Sequence, residues 1–363
     1  MNQKNLADSS LFEEIRGLIT AARNAVVRNI DTVQVITSFE IGRRIVEYEQ
    51  KGAARAEYGK QLLADLSAYL TAEFGRGFSR SNLEYMRKFY LVYQDRIPSI
   101  SQMASGKFIK PVFSLSWSQY IFLIGVKDED ARSFYEIEAV NNNWTLPELI
   151  RQFNSGLYER LALSRDKEGI RKLAKEGQII SKQEDLLKEP YVLEFLGLDE
   201  SVKYSESDLE GAIIDKLEHF LLELGKGFLF EARQKRFTFD EDHFFVDLVF
   251  YNRLLGCYVL IDLKIGRLTH QDLGQMQMYV NYFDRYVKIK EEYPTIGIIL
   301  CQKNREALVK ITLPKGANIH AKEYQLYLPS KEELKQKLLQ WSGEEEAKKA
   351  AKLPSKKKGK KTG

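Results

Sequence analysis

Cysteine and histidine are scarce in this sequence of 363 residues, which has two cysteines and four histidines. Two cysteines are too few for a disulfide scaffold. Because Cys257 and Cys301 lie in apolar, strand-like runs, they are predicted to be buried thiols in a reducing cytoplasm. No histidine stands at ligand spacing from a cysteine or another histidine, so a zinc site is not expected. A run of about 18 apolar residues is also absent, so neither a membrane span nor a membrane partner is predicted.

Positive charge is concentrated at the C-terminus. The formal net charge is +4, yet residues 348–363 contain eight lysines and no acidic residue, so the rest of the chain has a net charge of −4. We predict that residues 342–363 form a disordered tail, because a segment so rich in lysine cannot pack into a core. The tail either adds weak, salt-sensitive affinity for nucleic acid or only keeps the protein soluble.

Hydrophobic periodicity divides the chain into a helical half and a mixed half. Apolar residues spaced by three and four predict an all-helical domain over residues 1–160, with helices at 11–27, 31–49, 58–74, from 79 or 81 onward, 116–124, 128–141 and 145–158. The charged residues 161–204 are interpreted as a linker region.

The order αβββαβ is predicted for a domain over residues 205–341. It has helices at 208–224 and 271–286, strands at 228–239, 244–251, 257–265, 295–301 and 323–328, and a last helix at 331–341. The predicted fold class is therefore α+β overall, with a mixed sheet in an α/β core at the C-terminal end.

Two aspartates lie in neighbouring strand-like runs that a short loop joins into a hairpin. If Leu254 and Leu255 are the central turn residues, paired residue numbers sum to 509, and Asp247 lies opposite Asp262 on the same face. Two carboxylates placed in this way repel each other unless a cation lies between them. A loop that is one residue longer would shift this register by one.

Lys264 follows Asp262 by two residues and is predicted to lie on the same face. Two carboxylates and a lysine suit metal-assisted phosphodiester hydrolysis, in which the acids hold Mg²⁺ or Mn²⁺ and the lysine stabilises negative charge. The alternative is an ion pair between Asp247 and Lys264 on an exposed sheet face.

Other polar residues are predicted to converge on this hairpin. Glu210 lies on the apolar stripe of the 208–224 helix, although it also fits a capping box with Ser207 as N-cap. Gln275 and Tyr279 are one helical turn apart, so they either face the cleft or form an ordinary polar pair. Two residues of the first strand are candidate nucleic-acid contacts, namely Arg233 and Gln234.

These residues resemble the PD-(D/E)XK nuclease superfamily, and the chain is most similar to the YhcG-type nuclease family. The resemblance rests on segments that begin at Tyr58, Glu73, Asn82 and Gly156 and on residues 246–266. It implies a restriction-endonuclease-like core with Glu210, Asp247, Asp262, Lys264, Gln275 and Tyr279 as catalytic residues. The metal ligands it implies are Glu210, Asp247 and Asp262. The family often has Glu at position 262, and Val246 replaces the proline that precedes the second-strand Asp.

A basic helix-turn-helix-like element is predicted in the N-terminal domain, around the break at residues 75–78. Residues 76–110 carry seven cations and two acids. The candidate nucleic-acid contacts are Arg76, Arg80, Asn82, Arg87 and Lys88. The resemblance implies a winged-helix-like domain that binds DNA. The alternatives are an ordinary helical pair with a solvated basic face, or an oligomer interface made by aromatic residues such as Phe89, Tyr90 and Tyr93.

The sequence therefore predicts a cytoplasmic, metal-dependent endonuclease whose N-terminal domain positions DNA and whose C-terminal domain cuts it. Mg²⁺ or Mn²⁺ is the expected cofactor. One alternative is an RNA-directed nuclease, since related folds also cut RNA. Another is a nuclease fold that binds nucleic acid or protein without cutting, and a homo-oligomer remains open.

Overall fold

The computed structural model describes residues 31–50, 56–96, 113–163, 165, 167–198, 202–239, 241–314, 316–330, 332–334 and 336. The chain divides into two compact units, residues 1–149 and residues 150–363. The predicted helix at 11–27 and the tail at 342–363 lie outside the described residues, as do Lys107 and Lys110 of the basic segment. Among the helices that are described, none is both long enough and apolar enough to cross a bilayer.

The described part of the first unit is helical. The helices are α1 (residues 31–50), α2 (Ala56–Phe74), α3 (Arg80–Tyr93), α4 (Trp117–Leu123), α5 (Glu129–Asn141) and the start of α6 (Leu146–Asn154). Strands are absent from residues 31–50, 56–96 and 113–149, so this part of the unit contains no β-wing.

The turn between α2 and α3 agrees with the predicted helix break. Gly75 and Gly77 have φ of 80° and 116°, which glycine adopts without a Cβ penalty. The N-cap of α3 is Ser79, whose hydroxyl accepts a hydrogen bond from the backbone N of Asn82 at 3.3 Å. Of the two predicted starts, 79 or 81, the structure therefore supports Ser79, and Glu84 pairs with Arg80 at 3.1 Å.

Aromatic rings fill the core of the first unit. Phe89 is fully buried and contacts Phe113 and Tyr120, with ring centroids 5.0 Å apart in both pairs. Tyr93 is 6% exposed and packs on the same rings. Phe89 and Tyr93 therefore belong to this core and are not available to an oligomer interface, whereas Tyr90 is half-buried and its part in such an interface stays a prediction.

Residues 161–204 are more structured than the predicted linker. After α7 (Leu157–Leu163) come α8 (Lys167–Glu176) and a short strand β1 (Tyr191–Val192), which pairs with the last strand of the sheet. Tyr191 and Leu193 are fully buried in the core of the second unit. Burial of these apolar side chains incorporates the segment into that unit.

The predicted 208–224 helix is two helices, α9 (Glu206–Asp215) and α10 (Leu217–Leu224). The chain leaves the helical region at Lys216, where φ is −118° and ψ is 30°. The N-cap is Ser205, which forms a capping box with Asp208, so the cap assigned to Ser207 and Glu210 is wrong. This correction removes helix capping as the explanation for Glu210.

The sheet of the second unit has six strands in the order β1-β6-β5-β4-β3-β2. The remaining strands are β2 (Phe228–Phe239), β3 (Asp242–Asn252), β4 (Cys257–Arg267), β5 (Ile296–Lys303) and β6 (Ile319–Gln325). The β2-β3 and β3-β4 pairs are antiparallel, whereas β4, β5 and β6 run parallel. This mixed sheet and the predicted order of elements confirm the α+β fold class.

Helices cover both faces of the sheet. On one face, Leu248 and Ile261 pack with Ile213 of α9 and Phe220 of α10. On the other lies α11 (His270–Tyr282). At Gly297, an added Cβ would stand 2.6 Å from Met276 Cγ, so the glycine permits close contact between β5 and α11. The structure also contains α12 (Glu306–Thr312), which the sequence analysis did not predict.

Candidate active site

The sheet forks where the two candidate aspartates stand. The β3-β4 ladder runs from Asn252↔Cys257 to Leu248↔Ile261, so paired numbers sum to 509 and the predicted register is confirmed. Beyond that point β3 continues along β2, whereas β4 continues along β5. Asp247 and Asp262 are the next residues on the two strands, so both carboxylates lie at the fork.

The side chain of Asp247 accepts a hydrogen bond from a backbone N–H of β4 that no longer pairs with β3 beyond the fork. Its Oδ2 accepts a hydrogen bond from the backbone N of Leu263 at 2.9 Å, and its Oδ1 accepts one from Gln234 Nε2 at 3.0 Å. Burial raises the pKa of Asp247, and these bonds together with the charge of Lys264 oppose that rise. The side chain is thereby held against β4, next to Asp262.

Asp262 is buried beside a like charge. The residue is 1% exposed, and its Oδ2 is paired with Lys264 Nζ at 2.9 Å. Burial, and then the carboxylate of Asp247, raise the pKa of Asp262 to about 7, and Lys264 only partly offsets this rise. The pair therefore favours a cation that would neutralise it.

Lys264 lies between two acids. Its Nζ is 2.9 Å from Asp262 Oδ2 and 3.4 Å from Glu206 Oε2. Burial opposes its charge, yet Asp262 and then Glu206 raise the pKa of Lys264 above its usual value, so the ammonium stays protonated. The predicted ion pair of Lys264 with Asp247 on an exposed face is not what the structure shows, because the lysine contacts Asp262 and its side chain is 14% exposed.

Glu206 was not among the predicted site residues. It occupies the first turn of α9. Acidic residues are common there because they interact favourably with the helix dipole and the free backbone N–H groups, so an acid at this position does not by itself indicate a site. Its Oε1 also accepts from the backbone N of Ile265 at 3.3 Å. Its position four residues before Glu210, on the same side of the helix, was the available signal.

Glu210 is linked to the aspartates through the first strand. It is 3% exposed, and both Arg233 Nε and Gln234 Nε2 donate hydrogen bonds to its carboxylate. Gln234 has a φ of 46°, a region that residues other than glycine rarely adopt, and its amide bridges Glu210 to Asp247. Arg233 and Gln234, predicted as nucleic-acid contacts, thus orient acids of the site.

Gln275 and Tyr279 lie one turn apart on α11, and Gln275 Nε2 donates a hydrogen bond to Tyr279 Oη. Tyr279 is 1% exposed. Burial raises the pKa of Tyr279, while Gln275 lowers it; the charges of Asp262 and Asp247 raise it further. The charges of both aspartates thus act on Tyr279, and the site role of Gln275 and Tyr279 stays a prediction.

The donors at the fork suit a hard divalent cation only in part. Asp247 and Asp262 offer carboxylate oxygens, one of them paired with Lys264 at 2.9 Å, and such oxygens are the donors that Mg²⁺ prefers. Across the described residues, no three His, Cys, Asp or Glu side chains converge into a metal site. The predicted ligand set is therefore not assembled, because Arg233 and Gln234 engage Glu210. Two carboxylates are still consistent with Mg²⁺, which retains several waters.

Some of the predicted nucleic-acid contacts of the first unit are bonded to other residues of the unit, and others are exposed to solvent. Asn82 donates to Gly77 O at 2.5 Å and accepts from Trp117 Nε1 at 3.0 Å, which indicates a role within the fold. Arg87 pairs with Glu49 at 2.7 Å. The side chains of Arg76, Arg80 and Lys88 are exposed, Arg80 in a surface pair with Glu84.

Family comparisons match both halves of the chain. Residues 184–339 match the YhcG PDDEXK nuclease domain, and residues 14–160 match the DUF1016 N-terminal domain. A relative from Escherichia coli (strain K12), described as "Putative nuclease YhcG", is 38% identical over 353 residues, which cover 91% of this chain and 93% of the relative. The resemblance inferred from the sequence is thereby confirmed.

Similarity to solved structures extends over part of the chain. A crystal structure of a repair endonuclease from Pyrococcus abyssi matches with 20% identity and a TM-score of 0.24, over 36% of this chain and 50% of that one. The structure of the EndoMS-dsDNA2 complex matches with 15% identity and a TM-score of 0.24, over 37% of this chain and 51% of that one. The chain thus spans about half the length of these structures. TM-scores of 0.24 do not support an argument about individual residues.

Proposed function

Because the chain belongs to the YhcG family of PDDEXK nucleases, we propose that it is a metal-dependent nuclease that hydrolyses phosphodiester bonds in DNA. The observation that supports this most is the fork, where buried Asp262 lies beside Asp247 and Lys264. A fold without catalytic use for this pair would gain stability by losing it, because like charges in a buried position are costly.

Each site residue has a role that follows from its contacts. Asp247 and Asp262 would hold Mg²⁺ or Mn²⁺, which when bound polarises the phosphoryl oxygen and acidifies the attacking water. Lys264, kept protonated by Asp262 and Glu206, donates hydrogen bonds to the phosphate as negative charge develops on it. Gln234 and Arg233 fix the carboxylates of Asp247 and Glu210.

Tyr279 and Gln275 contribute polar groups from the helix above the fork. Since Gln275 donates to the Tyr279 oxygen, the phenolic proton remains available for an acceptor on the substrate. These two residues would orient the phosphate or a nearby water with respect to the aspartates.

The first unit would position DNA. Exposed Arg76, Arg80 and Lys88 lie at the turn before α3 and along that helix, where cations can contact phosphates. Phosphate contacts hold a protein on the duplex without reading its sequence, so this unit would supply affinity while the fork supplies chemistry.

Cleavage assays test this function directly. The full-length protein is incubated with duplex DNA, single-stranded DNA and RNA, in Mg²⁺, in Mn²⁺ or with EDTA. We expect DNA cleavage that needs the divalent ion and falls by at least about a hundredfold in Asp262→Asn and Lys264→Ala. The matched control is Asp242→Asn, an exposed acid on the same strand as Asp247.

Several results would contradict the proposal. Cleavage that persists in EDTA rules out the metal requirement. Activity confined to RNA replaces the proposed substrate, and activity equal in Asp262→Asn and wild type moves the chemistry away from the fork. Binding of DNA without cleavage under any of these conditions favours the non-cleaving alternative.

A further inference from the structure

A cavity of about 610 Å³ lies in the second unit at the carboxyl ends of three parallel strands. Its lining includes Ile265 from β4, Gln302 from β5 and Gln325 from β6. The crevice beyond the carboxyl ends of parallel strands is where open α/β sheets commonly bind ligands. The volume lies within the usual range for sites that bind small organic groups.

The cavity adjoins the candidate active site. Ile265 follows Lys264 directly, and its backbone N is held by Glu206, the acid that also contacts Lys264. Leu209, which also lines the cavity, immediately precedes Glu210. The contacts of Glu206 with both Lys264 and Ile265 therefore connect one wall of the cavity to the candidate site.

The cavity combines flat aromatic rings with side-chain amides. Tyr204 and Tyr327 contribute rings, Gln302 and Gln325 contribute amides, and Glu323 contributes a carboxylate, whereas Tyr324 is buried in the core of the unit. Gln302 is exposed at the cavity, so its amide offers a donor and an acceptor to a ligand.

The rim of the cavity is apolar and exposed. Val202 is 52% exposed, Tyr327 48% and Ile265 37%. Contiguous exposed apolar groups rimmed by polar residues, here including Lys203, are typical of ligand-binding surfaces.

We propose that this cavity binds the base of an unpaired nucleotide next to the phosphate that is cut. The inference rests on the proposed nuclease function and names the substrate feature that the enzyme selects. A nucleobase has a planar face for the tyrosines and N–H and carbonyl groups for the amides, whereas a base in a duplex has both already occupied. The enzyme would thus prefer an unpaired or extrahelical nucleotide over intact duplex.

Binding to two matched duplexes tests this inference. One duplex carries a single unpaired 2-aminopurine, and the other carries an abasic residue at the same position. The full-length Asp262→Asn protein is used so that cleavage does not interfere. We expect about tenfold tighter binding to the duplex with the base, and a change in 2-aminopurine fluorescence as the base stacks.

Two substitutions separate the cavity from the rest of the surface. Tyr327→Ala removes a ring from the rim, and Val202→Trp fills the opening without removing a buried side chain. We expect each, added to Asp262→Asn, to reduce the preference for the base to less than about twofold while affinity for fully paired duplex stays unchanged. The control is Tyr293→Ala, an exposed tyrosine at another cavity, which should leave the preference intact.

The outcomes distinguish this inference from the function on which it rests. Equal affinity for the base-containing and abasic duplexes overturns the inference alone, as does a preference that survives both Tyr327→Ala and Val202→Trp. A wild-type protein that neither binds nor cuts any nucleic acid overturns the proposed function as well. Thermal unfolding of each variant shows whether lost binding reflects a lost fold.

Discussion

Glu223 and Asp262 are both buried carboxylates of the second unit. The residues around Glu223 stabilise its negative charge, whereas those around Asp262 disfavour it. Glu223 is fully buried, accepts hydrogen bonds from Arg160, and also accepts from Val192 N at 3.0 Å. Burial alone would raise its pKa, but Arg160, Lys188 and Arg151 lower the pKa of Glu223 to about 2. Asp262, beside Asp247, has a pKa raised to about 7.

This difference separates a cluster that stabilises the fold from one that costs stability. Around Glu223 the charges compensate one another within the protein, so nothing further needs to bind. At Asp262 the compensation is incomplete, since Lys264 only partly offsets the effects of burial and of the nearby Asp247. Incomplete compensation in a cleft is typical of functional sites.

The largest effect on stability is expected at Glu223. Glu223→Gln removes the carboxylate charge that pairs with buried Arg160, and we expect a loss of about 3–5 kcal/mol in the free energy of unfolding. Urea denaturation measures it. Glu218→Gln, an exposed acid on the same helix, should change stability by less than about 0.5 kcal/mol. Similar small losses in both variants would mean that the Glu223 cluster is not structural.

Substitution of Asp262 is expected to change the free energy of unfolding in the opposite direction, toward higher stability. In the metal-free protein its folded pKa of about 7 exceeds the unfolded value, so the folded state holds the extra proton, and stability falls as pH rises from about 4 to 7. Asp262→Asn should therefore raise stability at pH 8 by about 2 kcal/mol and flatten that pH dependence. Denaturation curves at pH 5 and pH 8 provide the comparison, and a loss of stability in the variant at pH 8 would refute it.

Divalent metal should act on only one of the two clusters. At ten times its dissociation constant, Mg²⁺ would stabilise the protein by about 1.4 kcal/mol through binding to the folded state alone. The rise in melting temperature should be absent in Asp262→Asn and unchanged in Glu218→Gln. An equal rise in all three proteins would mean that the ion binds elsewhere.

The smallest effect on stability is expected at Glu206. Its pair with Lys264 is 3.4 Å long and its side chain is 46% exposed, so Glu206→Gln should change stability by less than about 0.5 kcal/mol. If Glu206 holds the ammonium toward the phosphate, kcat should fall several-fold while KM stays constant. Steady-state cleavage kinetics test this role, and a change confined to KM would assign Glu206 to binding.

The aspartate pair was predictable from local sequence, because a short hairpin loop fixes which strand residues oppose each other. The register that places Asp247 opposite Asp262, and the spacing of Lys264, follow from residues within twenty positions of one another. The same holds for Gln275 and Tyr279, which one helical turn brings together.

The Glu223 cluster was not predictable, because its members come from distant positions. Arg160 and Lys188 lie in the segment interpreted as the end of the helical domain and a linker, and no periodicity links them to α10. Gln234 was misinterpreted for a related reason, since its bridge between Glu210 and Asp247 depends on a left-handed backbone conformation that the sequence does not signal. Contacts set by tertiary packing override local pattern at such positions.

The pH dependence of Mg²⁺ affinity tests most directly whether the Asp247–Asp262 pair is a cation site. Because the ion binds the ionised pair, and the pKa of Asp262 is raised to about 7, titration calorimetry should give about tenfold tighter binding at pH 8 than at pH 6. Asp262→Asn should bind weakly at both pH values. Affinity that is the same at pH 6 and pH 8, or the same in Asp262→Asn as in the wild-type protein, would contradict the account.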